Sequence, residues 1–96
     1  MGKFSGLIKK LCMALLQKHG AVYLIDHRQN FSEKLGKPVT LMVLNRSYDV
    51  EEYNMLFPEK AKDPEKCQRV KVPVLESFKE VELLKALAAI YKGGGG

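Results

Sequence analysis

The most apolar uninterrupted run of the chain is Val39-Thr40-Leu41-Met42-Val43-Leu44, with Gly36-Lys37-Pro38 before it and Asn45-Arg46-Ser47 after it. A short run carrying β-branched residues and fenced by turn formers predicts a strand buried on both faces rather than a helix. The other periodic segments read as elements that cover it. Leu7, Ile8, Leu11, Cys12, Leu15 and Leu16 recur at helical spacing and form one wide apolar stripe, which opens after Ser5-Gly6 and stops at His19-Gly20. Gly20 suits the left-handed position that follows a helix C-terminus.

Ala21-Val22-Tyr23-Leu24-Ile25 is a short β-prone run, after which polarity returns abruptly with Asp26-His27-Arg28-Gln29-Asn30. Asp26, or alternatively Ser32, can cap a second helix that carries Phe31 and Leu35 four residues apart and ends at Gly36-Lys37-Pro38. A competing reading joins 21–25 and 39–44 as a long hairpin around an irregular loop; the clean stop favours the helix. Asp49-Val50-Glu51-Glu52 has the form of a capping box and predicts a short helix with Val50, Tyr53 and Phe57 on one side, closed by Pro58.

The charged stretch 59–66, which contains Pro64, reads as a solvated, mobile loop. Gln68-Arg69-Val70-Lys71-Val72 alternates polar and apolar residues like a half-exposed strand, and Pro73 places that strand at a sheet edge. Ser77-Phe78-Lys79-Glu80 has the form of a second capping box. Val81, Leu84, Leu87, Ala88 and Tyr91 then continue a helical stripe that Leu83 and Ile90 widen. The order is helix-strand-helix-strand-helix-strand-helix. It predicts a small α+β fold, one domain over 1–92, with a small sheet packed on the first and last helices and a flexible glycine tail at 93–96.

Ninety-six residues suffice for one core with little surplus stability. No apolar run approaches the roughly 18 residues that span a bilayer, and Lys9 and Lys10 interrupt the one near the start. The expectation is a cytoplasmic protein without a membrane partner. Two cysteines, Cys12 and Cys67, do not make a disulfide framework. The net charge of +5 is uneven: up to Arg46, eight Lys/Arg face only Asp26 and Glu33, whereas from Ser47 onward eight basic residues meet nine acidic ones. A basic half joined to a near-neutral half points to an anionic partner on one side of the molecule.

Catalytic and cofactor chemistry finds no foothold. Gly36-Lys37-Pro38-Val39-Thr40 lacks the spacing of a phosphate loop, and Pro38 removes an amide that such a loop would use. Cys12, His19, His27 and Cys67 have no zinc-finger spacing. Cys12 and His19, seven apart on a helix, stand about 10 Å from each other, too far for a nucleophile and its base. The expectation is a protein that is no enzyme and uses no cofactor or metal.

The residues Lys18-His19-Gly20, Val22-Tyr23-Leu24, Phe31 through Leu35-Gly36-Lys37-Pro38-Val39, and Val50-Glu51-Glu52-Tyr53 through Phe57-Pro58 together resemble the LOTUS family, also called OST-HTH, a winged-helix variant. Val70-Lys71-Val72 would be the wing strand. The likeness covers less than half of the chain. It departs from the family at 40–44, where a strand replaces the turn between helices, and in the extra final helix. It implies RNA binding or docking to a protein.

Two functions follow as expectations. The first is a basic nucleic-acid-binding domain, RNA or DNA, with Lys9, Lys10, Lys18, Arg28, Gln29, Asn30, Lys34, Lys37 and Arg46 as its contact residues. The second is a protein-interaction module, such as an inhibitor or accessory protein of a phage or mobile element. Its homodimer would form through the Leu83, Leu87 and Ile90 side of the last helix.

Overall fold

A computed structural model describes residues 3–93, so Met1, Gly2 and all of the glycine tail except Gly93 lie outside the described residues. The chain forms α1 (Ser5–His19), β1 (Val22–Ser32), β2 (Lys37–Asp49), α2 (Val50–Leu56), a short 3-10 turn (Pro58–Lys60), β3 (Arg69–Ser77) and α3 (Glu80–Lys92). The three strands make one antiparallel sheet in the order β1-β2-β3. The fold is the expected α+β domain with its sheet against the first and last helices, but the second predicted helix does not exist.

That helix is replaced by an extension of β1. Asp26, expected as its cap, pairs with Val43, and the register runs without a break from Val22 opposite Ser47 to Ser32 opposite Lys37. The observed hairpin is close to the competing reading, with most of the supposed loop drawn into the strands. Its turn keeps a trace of helix chemistry. Ser32 Oγ accepts from Leu35 N at 3.2 Å, and Ser32 O accepts from Gly36 N at 2.7 Å. This is a single helical turn that goes no further, because Gly36 then takes φ +66° and sends the chain back as β2.

At α1 the expectation holds. Gly20 adopts φ 67° and its N–H caps the carbonyls of Leu15 and Leu16, with Lys18 and His19 placed favourably in the last turn. Asp49 caps α2 by accepting from Glu51 N at 3.1 Å, which lets Val50 and Tyr53 bury behind it. The second capping box fails: Ser77 is still in β3 and accepts from Lys79 N at 3.0 Å, and α3 starts at Glu80. The 59–66 stretch is pinned by Asn54, whose side chain donates to Lys62 O at 2.9 Å and accepts from Lys62 N at 2.8 Å. Pro73 does sit on an edge strand, next to a bulge where Leu44 opposes Leu75 and Asn45 opposes Pro73, skipping Val74.

The core lies between the helices and one face of the sheet. Ile8 and Leu15 of α1 and Leu83 and Leu87 of α3 meet Tyr23, Met42 and Leu44, with Ile25, Leu75, Ile90 and Tyr91 packed around them. Leu83 and Leu87 are completely buried, and Ile90 is half-buried against the same cluster. The expected dimer surface is therefore interior: α3 is apolar over a wide arc because it packs on α1 as well as on the sheet. Removing side-chain volume there should cost fold stability. Leu87→Ala is expected to lose about 2–5 kcal/mol of unfolding free energy in urea titrations, with no effect on the association state beyond that loss.

Candidate nucleic-acid interface

Side chains alternate across a strand, so the face opposite the helices carries Leu24, Asp26, Arg28 and Asn30 of β1 and Val43, Asn45 and Ser47 of β2. Lys71 and Arg69 of β3 stand opposite Ser47 and Asp49, and Glu76 stands opposite Val43. Met42 and Leu44 belong to the helix-side core and Val43 between them does not, which fixes the alternation.

Two ion pairs cross this face over the central strand. Lys71 Nζ meets Asp26 Oδ2 at 2.8 Å, and Arg28 Nη1 meets Glu76 Oε1 at 3.9 Å. Beneath them Val43, Asn45 and Ser47 are almost wholly buried. The polar pair is satisfied: Asn45 Nδ2 donates to Asp26 Oδ2 at 3.0 Å, and Arg69 Nε donates to Ser47 Oγ at 2.9 Å while its Nη2 donates to Ser47 O at 3.0 Å. The Lys71 ammonium, hydrogen-bonded to Asp26, holds that carboxyl below the usual aspartate range; Asn45 and Arg28 add to the effect.

The predicted contact residues are divided by this geometry. Arg28 and Asn30 lie exposed on the helix-free face, and Lys34 and Lys37 are exposed at the hairpin turn beside it. Gln29 points to the other side and donates to Thr40 Oγ1 at 3.1 Å. Arg46 is half-buried: its guanidinium stacks 4.3 Å from the ring of Tyr48 and 5.7 Å from that of Tyr23, and it donates to Ser47 O. That leaves it a packing role rather than a phosphate contact. Lys9 and Lys10 are exposed on α1, in the helical layer, and Lys18 lies over the Tyr91 ring at 4.3 Å. The nine residues do not form one surface. The sheet instead adds Arg69 and Lys71, which sit in the near-neutral half of the sequence; the polar-apolar alternation at 68–72 is the signal that assigns them to a solvated face.

On the helix side, the far end of the hairpin borders an open groove of about 870 Å³ lined by His27, Phe31, Leu35, Pro38, Phe78 and Glu80, among others. Phe31 and Phe78 remain 65% and 57% exposed there. Asp26 and His27, neighbours on a strand, point to opposite faces, so Asp26 cannot orient the imidazole. His19 rests edge-on to Tyr91 with ring centres 6.2 Å apart. Both cysteines are free; burial pushes the Cys12 thiol up, away from reactivity. Among the described residues there is no group of three or more His, Cys, Asp or Glu that could hold a metal, and no helix long and apolar enough to cross a membrane.

Set against known protein families, characterised proteins and solved structures, the chain matches none. The fold defines a class of architecture: a three-stranded antiparallel sheet with helices on one face and a polar, cation-bearing second face. The likeness to LOTUS domains rests on short motifs, of which the segment 31–38 forms a strand end and a turn.

The Asp26–Lys71 bridge gives a pH test. Because the folded-state pKa of Asp26 is depressed, its stabilisation is present above the unfolded value, about 3.9, and is lost as pH falls through the folded value. Asp26→Asn is expected to be less stable than wild type at neutral pH, and the gap should close in acid, as followed by urea unfolding across the pH range.

Proposed function

We propose that this protein binds nucleic acid, RNA or DNA, through the helix-free face of its sheet and the adjoining hairpin turn, without catalysis. The observation that carries the proposal is the grouping of Arg28, Arg69 and Lys71 on one face, with Lys34 and Lys37 at its end. They stand against Asp26, Glu33, Asp49 and Glu76. Cations on a sheet layer can follow a phosphate backbone, and the Asn30 amide among them is a group able to read a base edge. Arg28, Arg69 and Lys71 also hold the sheet, so their ion pairs and hydrogen bonds would be exchanged in part for phosphate contacts. Lys34 and Lys37 would contribute mainly to binding.

The groove beside Phe31, Leu35 and Phe78 favours a second reading, a protein-interaction module of the inhibitor or accessory type. Exposed aromatic and aliphatic side chains at the end of an arm are the sort of anchors that protein partners use.

The test compares binding of labelled RNA and DNA oligonucleotides at low and moderate salt. Wild type should bind at low salt and weaken steeply as salt rises, because counterion release drives such binding. Lys34→Glu with Lys37→Glu should abolish most of it. Each lysine removed from a phosphate should lower the salt slope by about one. Lys9→Glu with Lys10→Glu, on the helical layer, should leave most of the affinity. Absence of binding at low salt, or equal weakening by the two double variants, would contradict the proposal. Binding that disappears on Phe31→Ser with Phe78→Ser, and is assayed against protein rather than oligonucleotide, belongs to the second reading.

A further inference from the structure

The two edges of the sheet are unlike. β3 spans nine residues and is blunted by Pro73 and by the bulge at Val74. β1 spans eleven residues, contains no proline, and pairs with β2 without irregularity. Among the described residues no strand pairs with the outer side of β1, where alternate residues direct their N–H and C=O groups away from the sheet. An edge of this length and regularity is a template for another strand.

The sequence of β1 says which strand fits. Read outward from His27 in both directions, Asp26 corresponds to Arg28, Ile25 to Gln29, Leu24 to Asn30 and Tyr23 to Phe31. We propose that two copies of this chain pair antiparallel along β1, His27 opposite His27, and join their sheets into one of six strands. This proposal does not rest on the nucleic-acid reading.

The twofold axis would run normal to the sheet, so corresponding residues share a face and the helices of both copies stay on one side. Asp26 of each copy then lies opposite Arg28 of the other, and Tyr23 opposite Phe31. Within one copy Asp26 already accepts from Lys71 and Asn45, both through Oδ2, which leaves Oδ1 for a guanidinium. Arg28 already reaches Glu76. Pairing would therefore continue the charges in alternating sign across the joined sheet: Glu76, Arg28, then Asp26 and Lys71 of the second copy. An arbitrary strand would not meet Asp26 and Arg28 with the opposite charges at this spacing.

The apolar surface beside the edge agrees. On the helix-free face of this edge Leu24 is 44% exposed, and on the helix side Ser5, Lys9 and Cys12 border the opening between α1 and β1. Leu16, one turn beyond Cys12 on that side of α1, is 51% exposed. A second copy seated on β1 would cover Leu24 in part, with Asn30 of that copy opposite it.

The experiment is sedimentation velocity on the full chain at high micromolar concentration, with Asp26→Arg and Arg28→Asp made separately and checked for folding by circular dichroism. Wild type should sediment at twice the 10.8 kDa of one chain. Each variant alone sets like charges opposite each other and should fall to the monomer mass. An equimolar mixture of the two restores opposite charges at both positions and should recover the dimer. On wild type, dilution should also deprotect alternate β1 amides in hydrogen exchange and leave β3 unchanged, a readout that needs no variant and decides the matter if a variant does not fold. A wild type that stays monomeric, a dimer that survives both substitutions, folded variants that do not associate on mixing, or β1 protection independent of concentration would overturn the proposal.

Discussion

β2 is paired on both edges and covered on both faces, and the remaining elements are placed by that demand. A central strand with Met42, Val43 and Leu44 all buried needs apolar cover on one side and something else on the other, because two helices reach only one face. α1 and α3 supply the first cover. The second comes from the neighbouring strands themselves, whose long charged side chains close over Val43, Asn45 and Ser47. Both hairpin arms must be long for this to work, since a short β1 would leave β2 without its Asp26 and Arg28 partners.

The polar cover is also where fold and proposed function meet. A buried Asn or Ser without partners costs about 1–3 kcal/mol, so Asn45 and Ser47 require Asp26 and Arg69 in place. Exposed ion pairs such as Arg28–Glu76 contribute little to stability by themselves, typically less than about 1 kcal/mol. Their value lies in holding cations on one layer at fixed spacing, where an anionic ligand can exchange for a carboxylate at low cost. Arg46 shows the opposite case: a cation enclosed by Tyr23 and Tyr48 is committed to packing.

Much of this fold is legible in the chain. The apolar run at 39–44, the helical stripes, Gly20, the Asp49 cap and the edge position of Pro73 each rest on local chemistry that tertiary structure does not override. The stretch 26–36 misleads because its local signals are real but short-ranged: Ser32 and Gly36 do make a helical turn, and Phe31 and Leu35 are four apart. What decides the outcome is β2, thirteen residues long, whose far half needs a pairing partner more than residues 26–32 need a helix. The candidate surface is harder to see, because Arg28 and Lys71 are forty-three positions apart in sequence and come together only through the sheet register. The half-by-half charge count points to a basic N-terminal portion, whereas the structure distributes charge by face.

The core, the charged face and the free β1 edge all depend on residues 22–49 forming one continuous hairpin with β2 at the middle of the sheet, and backbone NMR tests this most directly. Strand-type chemical shifts through Val22–Ser32, with cross-strand contacts between the α-protons or amides of Asp26 and Val43, Arg28 and Leu41, and Asn30 and Val39, are the predicted result. Helical shifts over 26–35, with sequential amide contacts and none to β2, would contradict it.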